Sequence, residues 1–271
     1  MAMFINISWP QNKRLKVATS AHAFSLIHNS LNTSTFVSMI GSDLIVNGLF
    51  DITNLVPDVD RYRILSNVLS SHNNCTVCPN NNNFKDILPS QSSSFDKTIV
   101  LVIESPHDHE FIYLNNNLVP IAPAQANKKK RGAGFAIENY LKCNILSQIS
   151  NYPQHNVRII IANPIQFQTS LFVIHKKGGR IAKDLRNSVW QALWRQKNIR
   201  ANFFDRLKCY EPDLIINSCT GGQDKRGSLN YFISKFLVQH SFSYISYKTG
   251  HPSSVWYRTI NGRPFAKVTK I

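Results

Sequence analysis

Four short apolar runs restrict this chain to a small set of folds. They occupy residues 98–103, 157–162, 213–216 and 242–247 and are rich in Ile, Val and Tyr. Each has the length of a buried strand and is too short for a buried helix. Stretches with helical spacing separate them. Residues 135–149 carry Ile137, Tyr140, Leu141, Ile145 and Leu146, and residues 181–194 carry Leu185, Val189, Ala192 and Leu193. Residues 202–210 and 229–238 follow. Strands alternating with helices give βαβ units and a mainly parallel sheet. Right-handed crossovers then place helices on both faces. The expected fold class is α/β: a three-layer α/β/α domain over residues 96–271, around a central, mainly parallel four-stranded sheet.

Residues 1–95 read differently, as a helix-containing N-terminal extension. One helix is expected from near Ser20, carrying Phe24, Leu26, Ile27 and Leu31, and another from near Asp58, carrying Tyr62, Ile64, Leu65 and Val68. Residues 71–94 are rich in Asn and Ser, with four successive Asn at 80–83, and read as an exposed connector.

Charge narrows the partner. The chain has 31 Lys plus Arg against 15 Asp plus Glu, a formal charge of +16. A polyanion, nucleic acid first, is the natural partner; a cationic solubility surface is the plainer alternative. No basic amphipathic helix with a strong apolar face is seen, and no apolar run approaches the ~20 residues that span a bilayer, so no membrane partner is expected. The first ten residues are too polar for a secretory signal. Five Cys without framework spacing fit a reducing cytoplasm. Cys75 and Cys78 read as loop thiols, and no metal or cofactor is expected.

Open parallel sheets bind ligands beyond the carboxyl ends of their strands, and polar residues follow all four runs. After the first come Glu104, Ser105, Pro106, His107, Asp108, His109 and Glu110; after the second, Asn163 and Pro164. After the third come Asn217, Ser218, Cys219, Thr220 and two Gly; after the fourth, Lys248, Thr249, Gly250, His251, Pro252, Ser253 and Ser254. Four such ends point to one composite site. A carboxylate at the first end can hold or activate water, or simply cap a helix. His107 and His109 beside the carboxylates also admit a metal site, on which a metal-dependent nuclease would rest. His251, between a permissive Gly and a stiff Pro, can donate to a departing anion, though a lone His is more often structural. Asn163 carries a donor and an acceptor and can pair with a pyrimidine edge, or serve as a turn residue before Pro164.

The order of these features, over roughly residues 97–262, resembles the uracil-DNA glycosylase superfamily. Glu104-Ser105-Pro106-His107-Asp108 fills its first motif, Gly134-Phe135 its stacking motif, and the strand ending in Asn163 its pyrimidine-reading motif. The third strand, followed by Gly221 and Gly222, fits the next motif. The turn His251-Pro252-Ser253, followed by Ser254, Val255, Trp256, Tyr257 and Arg258, fills the last one and its wedge loop. The resemblance implies a monofunctional DNA glycosylase. Its catalytic residues would be Glu104 and His251, with Asp108 as the less favoured acid, because Ser105 replaces the family's Asp before the Pro. Asn163, Phe135, His107 and Ser105 would hold the flipped base. Ser253, Ser254, Val255, Trp256, Arg258, Lys248, Lys129, Lys130 and Arg131 would meet double-stranded DNA, with Val255 and Trp256 as the wedge; the plain alternative for these two is core packing. Lys248 keeps a lyase step open.

His107 stands where strict uracil enzymes carry the Tyr that excludes 5-substituted pyrimidines, and residues 113–130 form a long insert. Both imply a base bulkier than uracil. The pattern is similar to bacterial antiphage glycosylases that remove glucosylated hydroxymethylcytosine from phage DNA. Some relatives hold an iron–sulfur cluster on four Cys; here Phe167 and Gln168 stand where the third Cys would fall, so no cluster is expected. A repair-type uracil-DNA glycosylase and a non-catalytic DNA-binding module remain the alternatives.

Overall fold

A computed structural model describes residues 3–9, 13–31, 36–48, 55–65, 68–71, 97–107, 110–114, 117–120, 123–124, 132–150, 156–169, 171, 179–221 and 226–271. In chain order its elements are β1 (Met3–Trp9), β2 (Lys13–Thr19), α1 (Ala21–His28), β3 (Val37–Ile40), β4 (Asp43–Val46), β5 (Val59–Leu65), β6 (Val68–Ser71) and β7 (Lys97–Val102). Next come β8 (Phe111–Leu114), β9 (Asn117–Pro120), α2 (Ala133–Tyr140), β10 (Val157–Ala162), α3 (Gly179–Trp194), α4 (Lys197–Tyr210) and β11 (Leu214–Asn217). The chain ends with α5 (Leu229–Gln239), β12 (Ser246–Lys248), β13 (Thr259–Ile260), β14 (Arg263–Pro264) and β15 (Thr269–Lys270).

Two compact units result, each built from separated segments. The first takes residues 1–56, 105–120 and 165–201; the second takes 57–104, 121–164 and 202–271. In the first unit the strands run β2-β1-β4-β3. Ile5, Ile7 and Val17 are buried, while Phe4 and Lys16 on the opposite face are exposed, the alternation of a one-sided sheet. The helix expected near Ser20 is α1. The Ser20 hydroxyl caps it by accepting from the Ala23 N–H at 3.2 Å.

The second unit carries a seven-stranded sheet of order β15-β12-β11-β7-β10-β5-β6. The four apolar runs are β7, β10, β11 and β12, and these four are mutually parallel. The last run opens with a 3-10 turn, Ser243–Ile245, so its strand starts at Ser246. The sheet is wider than the four strands expected: β15 pairs antiparallel with β12, and the β5–β6 hairpin pairs antiparallel with β10. The segment after Asp58 is thus strand, not helix. Its register against β10 shifts between Ile159, opposite Tyr62, and Ile160, opposite Asp60. Arg61 is the bulged residue. The bulge turns Val59, Tyr62 and Ile64 into the same core, and the three-residue step that results mimics helical spacing.

Successive strand residues face opposite sides. Ile99, Leu101, Ile103, Ile159, Ile161 and Ile216 form one core with Ala136 and Ile137 of α2 and with Leu141, Ile145 and Leu146 just after it. On the other face, the Arg158 guanidinium donates to Thr98 Oγ1 at 2.9 Å and to the Tyr210 carbonyl at the end of α4. The Asn217 amide there donates to Asn230 and Ser234 of α5. Among the described residues no helix is long and apolar enough to cross a membrane.

Candidate functional site

The parallel strands end in register. Val102 stands beside Ala162 and Asn217, and Asn217 beside Lys248. The ladder runs one residue further through Ile103 N–H to Ala162 O, Ser218 N–H to Val102 O and Thr249 N–H to Asn217 O, at 2.8–3.0 Å. Asn163, Ile103, Ser218 and Thr249 therefore form a row along the carboxyl edge. Each lies two residues beyond a side chain in the α2-face core, Ile161, Leu101, Ile216 or Tyr247, so by alternation the row belongs to that face. Asn163, Ser218 and Thr249 are 0 % exposed. Asn163 Oδ1 and Nδ2, Ser218 Oγ and Thr249 Oγ1 have no hydrogen-bond partner among the described residues. Each such atom costs about 1–3 kcal/mol, a cost that a polar ligand reaching the row would offset.

The backbone of Asn163 is clamped. Its N–H donates to Asp58 Oδ1 at 3.1 Å, and its carbonyl accepts from Arg206 at 3.0 Å. Asp58 Oδ2 is ion-paired with the same guanidinium and accepts from the Tyr210 hydroxyl at 2.9 Å. Burial, and then the Asp58 charge, push the Tyr210 phenol well above its ordinary range, so it stays a neutral donor. This clamp was not read from the sequence. Arg206 and Tyr210 are one turn apart on α4, but their bonded partners Asp58 and Asn163 lie 43 to 152 residues away along the chain, and only folding joins them.

Glu104 is 5 % exposed, and its Oε2 accepts from the Thr220 N–H at 2.9 Å. From β7 the chain moves to β10 on one side and then to β11 on the other, so the ends of β7 and β11 flank the topological switch point where open sheets bind ligands. The Glu104–Thr220 bond spans that crevice. A buried amide pair fixes the neighbouring ends. Asn230 Nδ2 lies 2.9–3.3 Å from the carbonyls of Asn217, Cys219 and Thr249.

His251 follows β12. Its Nδ1 shares a 2.8 Å hydrogen bond with Ser253 Oγ. Its carbonyl accepts from the Ser254 N–H and hydroxyl and from the Val255 N–H, opening the π-helical turn Pro252–Trp256. A Cβ on Gly250 would meet Val255 Cγ2 at 2.5 Å, so the turn needs glycine there. Helix α2 packs on this turn, which puts half-buried Phe135, edge-on to Tyr140, on an element touching the His251 turn.

The remaining candidates separate. Trp256 is not a wedge. It is 0 % exposed, lies in the α2-face core and donates from Nε1 to the Gly250 carbonyl at 2.8 Å. Val255 packs against the same core. Core packing holds Trp256 inward, whereas Val255 stays half-buried. Ser253 and Lys248 are half-buried; Ser254 and Arg258 are exposed. In the first unit, Ser105 Oγ bonds Thr169 Oγ1 at 2.8 Å, and exposed His107 donates its backbone N–H to buried Glu110 at 2.6 Å, so Glu110 closes a turn. Gln168 of that unit, fully buried, has both amide atoms without a partner among the described residues. Asp108, Lys129, Lys130, Arg131, Cys75 and Cys78 lie outside the described residues. No family model, no curated protein and no solved structure matches the chain.

Proposed function

We propose that the chain is a DNA glycosylase that flips a modified pyrimidine out of double-stranded DNA and hydrolyses its N-glycosidic bond, leaving an abasic site. The observation that carries this reading is the Asn163 amide: fully buried at a strand end, fixed at its backbone and unpaired at both polar atoms. A pyrimidine edge supplies the missing donor and acceptor. A base is unreachable inside the stack, so the nucleotide must leave it. Phe135 stacks on the flipped ring. As the bond to C1′ loosens, positive charge grows on the sugar and the bond's electron pair stays with the base. Glu104, held by Thr220, faces the sugar charge and takes a proton from the attacking water. When Ser253 Oγ donates to Nδ1, neutral His251 carries its proton on Nε2 and offers it as a hydrogen bond to the departing base anion. Lysine chemistry is not needed, so the enzyme is monofunctional. The three-layer α/β/α arrangement around four parallel strands, and a cytoplasmic setting, belong to the same reading.

The proposed substrate is glucosylated hydroxymethylcytosine in phage DNA. The test is mass spectrometry of small molecules released from glucosylated phage DNA, unmodified DNA and uracil-containing DNA, with abasic sites counted in parallel. Release of the glucosylated base from the first alone is expected. Release of uracil instead makes the chain a repair-type enzyme. Binding with no release from any DNA makes it a binding module. Glu104→Gln and His251→Ala should each lower release by about 10²-fold or more with DNA binding retained.

A further inference from the structure

With Trp256 held in the core and Val255 half-buried against it, the exposed segment that follows them bears on how this chain would meet DNA. Strand β12 ends at Lys248, and β15 pairs beside it at Thr269. Residues 249–268 therefore leave and rejoin the sheet at the edge that carries His251. Both roots of this excursion are fastened. Trp256 is buried, and its carbonyl accepts from Asn144 Nδ2 at 2.7 Å. Ala266 is 3 % exposed, and its carbonyl accepts from Gln148 Nε2 at 2.8 Å. Gln148 Oε1 also accepts from the Val268 N–H.

Between the roots stands a two-residue hairpin. Thr259 pairs with Pro264 and Ile260 with Arg263, and the Phe265 N–H to Arg258 carbonyl bond, 2.9 Å, closes its base. Asn261 and Gly262 have φ of +51° and +73°, the left-handed pair of a type I′ turn, whose twist matches the strands it joins. The tip is exposed: Ile260 is 57 % exposed, and Thr259, Asn261, Gly262 and Arg263 are exposed with it. Ile260 and Arg263, directly opposite each other, share a face. Arg258 lies 5.7 Å from the Tyr257 ring and 6.0 Å from the Phe265 ring. Residues 248–271 hold five cations, Lys248, Arg258, Arg263, Lys267 and Lys270, and no Asp or Glu.

A single exposed isoleucine beside the turn, among cations and with no carboxylate near it in sequence, complements a partner that is anionic outside and apolar inside. Duplex DNA has that structure: phosphates flank a stack of bases, and apolar side chains wedged into the stack recur in proteins that kink it. We infer that the hairpin 258–265 is the DNA-inserting element of this protein. Ile260 enters the base stack, and Arg258 and Arg263 hold the flanking phosphates. The purpose of the insertion, filling the gap behind an extruded nucleotide, rests on the glycosylase reading; the insertion itself does not.

The test uses the full chain with Ile260→Ala and, as rescue, Ile260→Leu. Base release is measured on a duplex and on the single strand of the same sequence, and the fluorescence of 2-aminopurine beside the target reports unstacking on binding. Ile260→Ala should lower release from the duplex by about tenfold and leave single-strand release within about twofold, because a single strand has no stack to open. The 2-aminopurine rise should fall with it, and Ile260→Leu should restore both. Equal losses on both substrates, or no loss on either, overturn the inference. If the wild-type chain releases no base from any DNA, the glycosylase reading fails alone, and the fluorescence decides: an Ile260-dependent rise upholds insertion, and its absence overturns it. Because the side chain is exposed, thermal unfolding of both variants should match the parent.

Discussion

Asn163 is fixed through its backbone and unpaired through its side chain, and that separation gives a prediction most buried residues do not. An apolar group of similar shape removes two unpaired polar atoms and breaks no bond to the side chain. Asn163→Leu should leave stability unchanged or raise it by about 1 kcal/mol, read from urea unfolding, while base release disappears. A loss above about 1 kcal/mol would mean that the amide is holding the fold. Asp58 should behave oppositely. Removing a buried carboxylate that faces Arg206, Tyr210 and the Asn163 N–H strands the partners, and Asp58→Ala should cost about 3–5 kcal/mol. Tyr210 adds a pH dependence. Its phenol titrates above the ordinary value of about 10 in the folded chain, so its contribution is fully present below that value. As pH rises beyond 10 the unfolded chain ionises first, and stability falls. Tyr210→Phe should flatten that alkaline decline in urea midpoints measured across it.

At the scale of elements, β7, β10 and β11 were legible because strands buried on both faces read as continuous apolar runs. Thr98–Val102 and Val157–Ala162 have no exposed residue, and nothing but a central strand accommodates that. Strand β5 was illegible for a local reason: the bulge at Arg61 breaks the two-residue step on which a strand is recognised. Trp256 misled for another. A Trp after a turn looks the same in sequence whether its ring faces water or the core, and the partner that settles it, the Gly250 carbonyl, is recognisable only once the π-helical turn has formed. The catalytic candidates Glu104 and His251 and the base-binding candidate Asn163 stood out because each lies within three residues of the carboxyl end of a strand; their supports did not. Asn230 reads as an ordinary polar residue early in α5, yet its amide ties together the last turns of β11 and β12. Asn230→Ala leaves those buried carbonyls short of a donor. It should lower unfolding stability by about 1–3 kcal/mol, and hydrogen exchange should quicken at the Cys219 and Thr249 amides more than in β10. Uniform quickening would assign Asn230 to general packing instead.

For the whole molecule, a charge of +16 favours polyanions in general and says nothing about where a polyanion would lie. Salt separates the two questions. Each phosphate neutralised at a DNA interface releases condensed counterions, and the slope of log K against log salt changes by about 0.9 per phosphate. A cation that acts only through the general field lowers affinity without marking the slope as a discrete contact does. Arg258 and Arg263 flank the exposed tip of the hairpin, whereas Lys208 and Lys235 stand exposed on α4 and α5. The double variants Arg258→Ala with Arg263→Ala and Lys208→Ala with Lys235→Ala remove the same two charges. If the hairpin holds phosphates, the arginine pair should flatten the slope by about 1.8, and the lysine pair should leave it within about 0.3 of the parent. Fluorescence anisotropy on one unmodified duplex at four or five salt concentrations measures both, with no catalysis required. Equal changes in the two variants would mean that the protein meets DNA through diffuse charge, and that the hairpin is only one cationic surface among several.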